Sequence, residues 1–167
     1  MFEIIILSII QGITEFLPIS SSSHLILISN YVDFEYQSLS IDVSLHIGSL
    51  LAVITYFYKD LVNFTKNKKL FFKILISSIP VIIAGFLLVK TNYIENLRNI
   101  EVIGWTTLIF GILLYISDKV KLEKDLNNNF TFKTGIIIGL FQILALIPGV
   151  SRAGITITSA RALGFKR

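Results

Sequence analysis

The chain has 167 residues, 53% of them hydrophobic, with 15 Lys+Arg against 11 Asp+Glu. A mean hydropathy of +0.75 and a charged share of 16% are too apolar for an ordinary soluble domain, and the charges gather between apolar runs of about 20 residues, the length that crosses a bilayer's hydrocarbon core. The basic excess therefore reads as membrane topology rather than nucleic-acid binding, and the absence of cysteine excludes disulfides, thiolate catalysis and Cys-held zinc or iron–sulfur centres.

The N-terminus, Met1-Phe2-Glu3-Ile4, has neither a basic region nor a small-residue cleavage site, so it is expected to stay in the mature protein. The apolar stretch 4–31 follows, interrupted at Pro18-Ile19-Ser20-Ser21-Ser22-Ser23-His24. Stretches 41–58, 70–89 and 100–117 read as uninterrupted transmembrane spans. The final apolar stretch, 135–165, is interrupted at Pro148-Gly149-Val150-Ser151-Arg152. The halves of the two broken stretches are short for a crossing, so each predicts a re-entrant helix hairpin. Irregular backbone at membrane depth needs protein or a water-filled cavity to satisfy its polar groups, so both breaks should line a cavity.

Loop charge predicts orientation. Between 59 and 73 five lysines (Lys59, Lys66, Lys68, Lys69, Lys73) face only Asp60, which marks the cytoplasmic side, whereas 30–42 carries only the acids Asp33, Glu35 and Asp42. The 90–101 stretch is balanced, with Lys90 and Arg98 against Glu95 and Glu101. The 118–133 stretch holds Lys119, Lys121, Lys124 and Lys133 against Asp118, Glu123 and Asp125. That order runs out, in, out, in. The odd number of crossings between the hairpins makes them enter from opposite faces, and a weak internal resemblance supports this: Gly12-x-x-Glu15 before Pro18 and Ser20, and Gly139-x-x-Gln142 before Pro148 and Ser151. The expected fold is an all-α polytopic membrane protein, a single membrane domain with inverted-topology repeats, two re-entrant hairpins and three intact spans.

Few ionisable residues lie within the apolar stretches: Glu15, His24, His46, Arg152 and Arg161, with Asp42 at a span's edge. Charge in a membrane is costly, which makes such residues candidates for function. Gln11 and Glu15, four apart, share a helix face. After Pro18, the serine run supplies hydroxyls and free amides before the next helix, a natural anion site. Pro148-Gly149 likewise sets Ser151 and Arg152 at the start of a helix, and the guanidinium fork matches phosphate oxygens. An acid, hydroxyls, a histidine and an arginine together make a phosphoryl-transfer set. Each also has a plainer reading. Any one serine can serve as a cap, Glu15 and Arg152 can tie the hairpins together as an ion pair, His24 can bond locally, and His46, in an uninterrupted span, reads as structural. Arg161 can mark the inner surface, and the aromatics near the span ends, such as Tyr56, Tyr58, Tyr93, Trp105 and Tyr115, fit an interfacial belt.

At these residues the sequence resembles the integral-membrane undecaprenyl-diphosphatases associated with bacitracin resistance. Gln11-Gly12-Ile13-Thr14-Glu15-Phe16-Leu17-Pro18-Ile19-Ser20-Ser21-Ser22-Ser23-His24-Leu25 resembles that family's acidic-or-Gln, three residues, Glu motif and its Ser-rich loop. Gln142, with Ala145 through Thr156, resembles its Pro-Gly-x-Ser-Arg motif. The resemblance implies hydrolysis of undecaprenyl diphosphate to undecaprenyl phosphate and inorganic phosphate, recycling the lipid carrier of peptidoglycan synthesis. It implies a site facing the periplasm in a multi-pass protein of the bacterial plasma membrane. It further implies that Glu15 and Gln11 hold a divalent cation, Mg²⁺ or Ca²⁺, with the diphosphate, that Ser21 is the candidate nucleophile and His24 the acid/base group, and that Arg152 neutralises phosphate charge. Ser20, Ser22, Ser23, Gly149, Ser151 and Thr156 complete the substrate-binding set. Attack by serine and attack by water both stay open. The expected partners are a polyprenyl diphosphate lipid, membrane lipids and a second copy of the chain, with no nucleic acid.

Three departures from the family pattern are Ser23 where Gly, which tolerates positive φ, is expected, Ala153 where Ser is usual, and an end at Gly164-Phe165-Lys166-Arg167 where the family continues through further apolar helices. The last carries the expectation of a chain truncated at its C-terminus, and with it the alternative of an inactive piece of the phosphatase. The other alternative is an inverted-repeat lipid or anion transporter, since broken midplane helices describe carriers as well.

Overall fold

A computed structural model describes residues 2–34, 38–91, 93–120, 124–125 and 129–166. Met1, Glu35, Lys121, Glu123 and Arg167, which enter the readings of the termini and of loop charge, lie outside the described residues. The described chain is helical, with no strand beyond an isolated bridge between Lys124 and Phe165.

Helix α1 (Phe2–Thr14) stops short of Pro18, whose ring disfavours helical backbone in the residue before it. Helix α2 (Ser21–Val32) ends at Asp33, which takes a left-handed conformation (φ 52°) and returns its N–H to the Ser29 carbonyl. Ser38 caps α3 (Leu39–Tyr56), Asn67 caps α5 (Lys68–Lys90) and Asn99 caps α7 (Ile100–Ser117); each side chain accepts a hydrogen bond from a backbone N–H of the first turn. These three helices are long and apolar enough to cross a membrane. Large apolar side chains such as Leu50, Ile82 and Ile112 cover them with outward-facing surface that only lipid or further protein would accommodate. They fall on the three expected spans with ends shifted by a residue or two.

Two short helices were not foreseen. Helix α4 (Tyr58–Lys66) occupies the lysine-rich loop, and α6 (Tyr93–Leu97) the balanced one. At helical spacing α4 puts Tyr58, Leu61, Val62 and Phe64 on one side and Lys59, Asp60, Asn63 and Lys66 on the other, an arrangement suited to lying in a membrane interface.

Helix α8 (Phe132–Gln142) opens with a reciprocal capping box between Thr131 and Thr134 and tightens into a 3₁₀ turn, Ile143–Leu146. Helix α9 (Arg152–Ala162) follows the Pro148-Gly149 turn. Helix α8 packs chiefly on α5, α9 on α7 and α8, and α1 on α2 and α3. The α5–α8 crossing is a contact of backbone on backbone: a Cβ at Gly139 would overlap the Ser77 carbonyl oxygen, and one at Gly135 the Ser77 hydroxyl. Glycines four apart on one helix face allow this approach where lipid offers no hydrophobic drive for helix association. Beyond the span ends, Arg161 binds both the carboxylate and the carbonyl (2.8 Å) of Asp118, tying α9 to the end of α7. Lys73 donates to the Phe130 carbonyl, fixing the entry to α8 on α5.

Candidate active site

The first break, between α1 and α2, turns on Ser20, a buried non-glycine residue at φ 63°, ψ 96°. Positive φ costs an L-residue about 1–2 kcal/mol. Two contacts hold it there: the Ser20 and Ser23 hydroxyls lie 3.0 Å apart, and His24 donates from Nδ1 to the Ser20 carbonyl at 2.8 Å. The twist delivers Ser21 as the first residue of α2, whose N-terminus has no side-chain cap, so first-turn amides are available to an anion. Ser21 Oγ donates to Glu15 Oε2 at 2.6 Å. Gln11 Nε2 donates to the same carboxylate oxygen at 2.9 Å and to Ser49 Oγ at 3.1 Å. With its nitrogen so committed, Gln11 Oε1 is buried without a hydrogen-bond partner among the described residues, an acceptor whose desolvation costs about 1–3 kcal/mol.

The second break is shaped by Gly149, at φ +97°. That region is readily open only to glycine, and a Cβ there would also overlap Thr106 Oγ1 of α7. Thr106 Oγ1 lies 2.7 Å from the Pro148 carbonyl oxygen, so α7 grips the turn from the side. Ser151 then caps α9, accepting from the Gly154 N–H at 3.2 Å, and Arg152 enters as the first helical residue with an exposed side chain.

The two breaks face each other. Gly154 of α9 sits against the Pro18 carbonyl, and a cavity of about 400 Å³ is lined by Glu15, Ser20, Ser21 and Ser22 from one break and by Ser151, Arg152 and Thr156 from the other. A second cavity of about 470 Å³ shares Glu15, Ser22, His46 and Arg152, then runs between apolar side chains such as Val43, Leu50 and Val53 to a buried ion pair, Arg98 with Asp42 at 2.6 Å. A polar chamber thus opens into a greasier one.

Sequence-predicted residues divide accordingly. Glu15, Ser20, Ser21, Ser22, Ser151, Arg152 and Thr156 share the polar cavity, and Gln11 braces Glu15 from behind. The Ser151 and Thr156 hydroxyls are engaged with backbone of α9. Ser23, at 2% exposure, is helical and packed behind the wall; the positive φ falls on Ser20 instead. His24 and Gly149 line a separate cavity of about 310 Å³ with Thr107 and Phe110. Glu15 lies beside His46, Nε2 to Oε2 at 3.5 Å, and among the described residues makes no ion pair with Arg152.

His46 is the residue that the sequence reading assigned to structure and the fold brings to the site: its Nε2 also lies 3.3 Å from Ser21 Oγ. Asp42, His46 and Ser49 recur at spacings of four and three, on one face of α3. Scoring that polar stripe by helical phase rather than by average hydropathy would have found it.

Residues 4–167 match the family model described as bacitracin resistance protein BacA. The undecaprenyl-diphosphatase of Pelagibacter ubique (strain HTCC1062) is 57% identical over 166 residues, 99% of this chain and 65% of that protein. Those of Jannaschia sp. (strain CCS1) and Alteromonas mediterranea are each 45% identical over 180 residues, covering 100% of this chain and 67% of theirs. The chain thus spans about two thirds of the length of the curated relatives it matches.

Proposed function

The chain belongs to the BacA family of bacitracin resistance proteins, and on that premise we propose that it is a multi-pass membrane enzyme that hydrolyses undecaprenyl diphosphate to undecaprenyl phosphate and inorganic phosphate. The observation that carries the proposal is the Ser21 hydroxyl held 2.6 Å from Glu15 in a cavity whose opposite wall is Arg152. The terminal phosphate fits between the uncapped start of α2 and the guanidinium, where hydrogen-bond donors converge on the charge that develops in transfer. Ser21 Oγ gives its proton to the Glu15 carboxylate it faces at 2.6 Å and forms a bond to the terminal phosphorus, the bond from that phosphorus to the bridging oxygen breaks, and undecaprenyl phosphate departs with the electron pair. Water then releases phosphate from the serine. Direct attack by a water held at Ser21 gives the same products. The apolar chamber beyond Glu15 suits the first isoprene units.

Among the described residues no cluster of three His, Cys, Asp or Glu side chains forms a metal cage. The donor set suits a hard cation of another kind: one carboxylate, a buried amide oxygen at Gln11 without a partner, and substrate phosphates to complete the shell. A Mg²⁺ or Ca²⁺ bound there would neutralise diphosphate charge. Glu15 and Gln11 would hold it.

The two broken stretches support re-entrant hairpins in opposed orientation, each with halves of 11 to 13 residues. The larger cavity leads to Asp42, in the first turn of α3, and Arg98, just before α7, beside the two stretches that lack the lysine excess of 59–73, which supports a site open to the periplasm. The acid/base role implied for His24 would fall to Nε2, since Nδ1 is engaged at Ser20. A homodimer is part of the same reading and is tested by cross-linking in native membranes. The relatives' name, a diphosphatase, does not favour the carrier alternative.

The test is phosphate release from undecaprenyl diphosphate by the purified chain in detergent, with no ion gradient, in Mg²⁺, Ca²⁺ or chelator. Turnover should require the cation and fall by about 10²–10³ in Glu15→Ala and in Arg152→Ala, the size of effect seen when one charge-stabilising group is removed. Wild-type levels in both variants, or no turnover in any cation, would refute the proposal.

A further inference from the structure

Helix α3 presents its polar stripe to the first break at two points, and the more consequential is His46. The ring's Nδ1 lies 2.7 Å from the Asp42 carbonyl oxygen one turn earlier. A carbonyl only accepts, so Nδ1 carries the hydrogen, and in the neutral ring Nε2 is left as a bare acceptor. That acceptor sits 3.3 Å from Ser21 Oγ and 3.5 Å from Glu15 Oε2. Ser21 has a single hydroxyl hydrogen and two acceptors within reach, a carboxylate on its own hairpin and an imidazole on a neighbouring span.

We propose that His46 is a positioning residue: anchored through Nδ1 on the backbone of α3, it fixes the Ser21 hydroxyl in the cavity independently of Glu15. The proposal rests on the phosphatase reading for its kinetic consequence and on geometry alone for its placement. Glu15 is the group expected to turn toward the charged ligand, and a serine held by Glu15 alone would lose its only side-chain partner at that moment. With His46 present, Oγ keeps a fixed position, and misplacement by about 1 Å is enough to cost roughly a hundredfold in rate. His24 cannot do this work from its place in the structure, because it lines the separate cavity with Thr107 and Phe110 and its Nδ1 holds the Ser20 carbonyl.

The experiment has two arms. In the first, His46→Ala and His46→Gln are compared for phosphate release from undecaprenyl diphosphate. His46→Ala should lower kcat by about 10- to 100-fold with KM changed by less than about threefold, and His46→Gln, whose terminal amide oxygen reaches the place of Nε2 and accepts a hydrogen bond, should recover most of that loss. Equal loss in both variants would mean that the imidazole takes up a proton, a duty no amide performs, and would overturn a positioning role; no loss in either would overturn it too. In the second arm the imidazole ¹⁵N spectrum of the chain in detergent is recorded, which is tractable because the chain has 2 histidines. His46 should show the Nδ1–H form, and Ser21→Ala should move its Nε2 resonance and leave those of His24 in place. An unmoved His46 overturns the placement. If the wild-type chain releases no phosphate, the phosphatase reading falls by itself and the ¹⁵N arm still decides where Ser21 is held.

Discussion

The two helix breaks do comparable jobs by different chemistry. The first is held through side-chain hydrogen bonds: Gln11 to Ser49, Ser21 to Glu15, and the Ser20–Ser23 pair inside the loop. The second is docked through glycine, with Gly135 and Gly139 on the Ser77 residue of α5 and Gly149 under Thr106 of α7. Hydrogen bonds to hydroxyls and amides can be exchanged one at a time, whereas backbone pressed on backbone has no slack. The first break carries the carboxylate and the candidate nucleophile, the second the guanidinium and a capped helix start. The difference teaches that the break bearing the guanidinium is seated by close approach at glycines, and the break bearing the carboxylate by side-chain hydrogen bonds.

That contrast can be broken most severely at α5–α8. Gly139→Leu should leave no room for the crossing, at a cost above about 4 kcal/mol, and yield aggregated or unfolded protein by size exclusion and circular dichroism in detergent. A monodisperse, helical Gly139→Leu protein would show that the crossing is not what holds the second break. Next in size, Gly149→Ala combines positive φ with overlap on Thr106 and should cost about 2–4 kcal/mol of stability. Thr106→Ala in the same chain should restore only part of it, because the dihedral penalty and the close approach to the Ile103 carbonyl stay. Full restoration would assign the whole effect to overlap.

The first break should answer more gently. Ser49→Ala removes the acceptor for Gln11 and should cost about 1 kcal/mol, read as a small drop in thermal midpoint with the helical content kept; a collapse comparable to Gly139→Leu would erase the distinction between the two docking modes. Smallest of all, Ser20→Gly relieves the φ 63° conformation and gives up the Ser23 contact, so stability should rise by no more than about 1 kcal/mol, read as a slightly higher midpoint. A marked loss would mean that the hydroxyl pair, not backbone strain, dominates that position.

Much of this was legible in the chain itself. Pro18 with its serine run and Pro148-Gly149 announced the breaks, because proline removes a helical hydrogen bond and a polar cluster cannot face hydrocarbon. The spans were legible because length and hydropathy suffice. Helix α4 was hidden by its lysines, whose charge made a helix look like a loop. The α5–α8 seam was present as Gly135-x-x-x-Gly139, a spacing that names a crossing and leaves the partner unspecified. Glu15, Ser21 and Arg152 were singled out by chemistry, and their shared cavity was expected from topology. The plainer reading placed Glu15 against Arg152, whereas the fold sets it beside His46, which sequence had set aside.

What the sequence determined by itself was therefore local and periodic: where helices run, where they must stop, and which polar residues are too costly in a membrane to be incidental. Those properties depend on neighbours within a few turns. What the tertiary structure decided was which face of α3 meets the first break, that His46 and not His24 stands at Ser21, and that Ser20 and not Ser23 bears the strained backbone. Each depends on how one helix is rotated against another, and that rotation is set by glycines, hydroxyls and buried amides many residues apart in the chain, whose consequences no local pattern encodes.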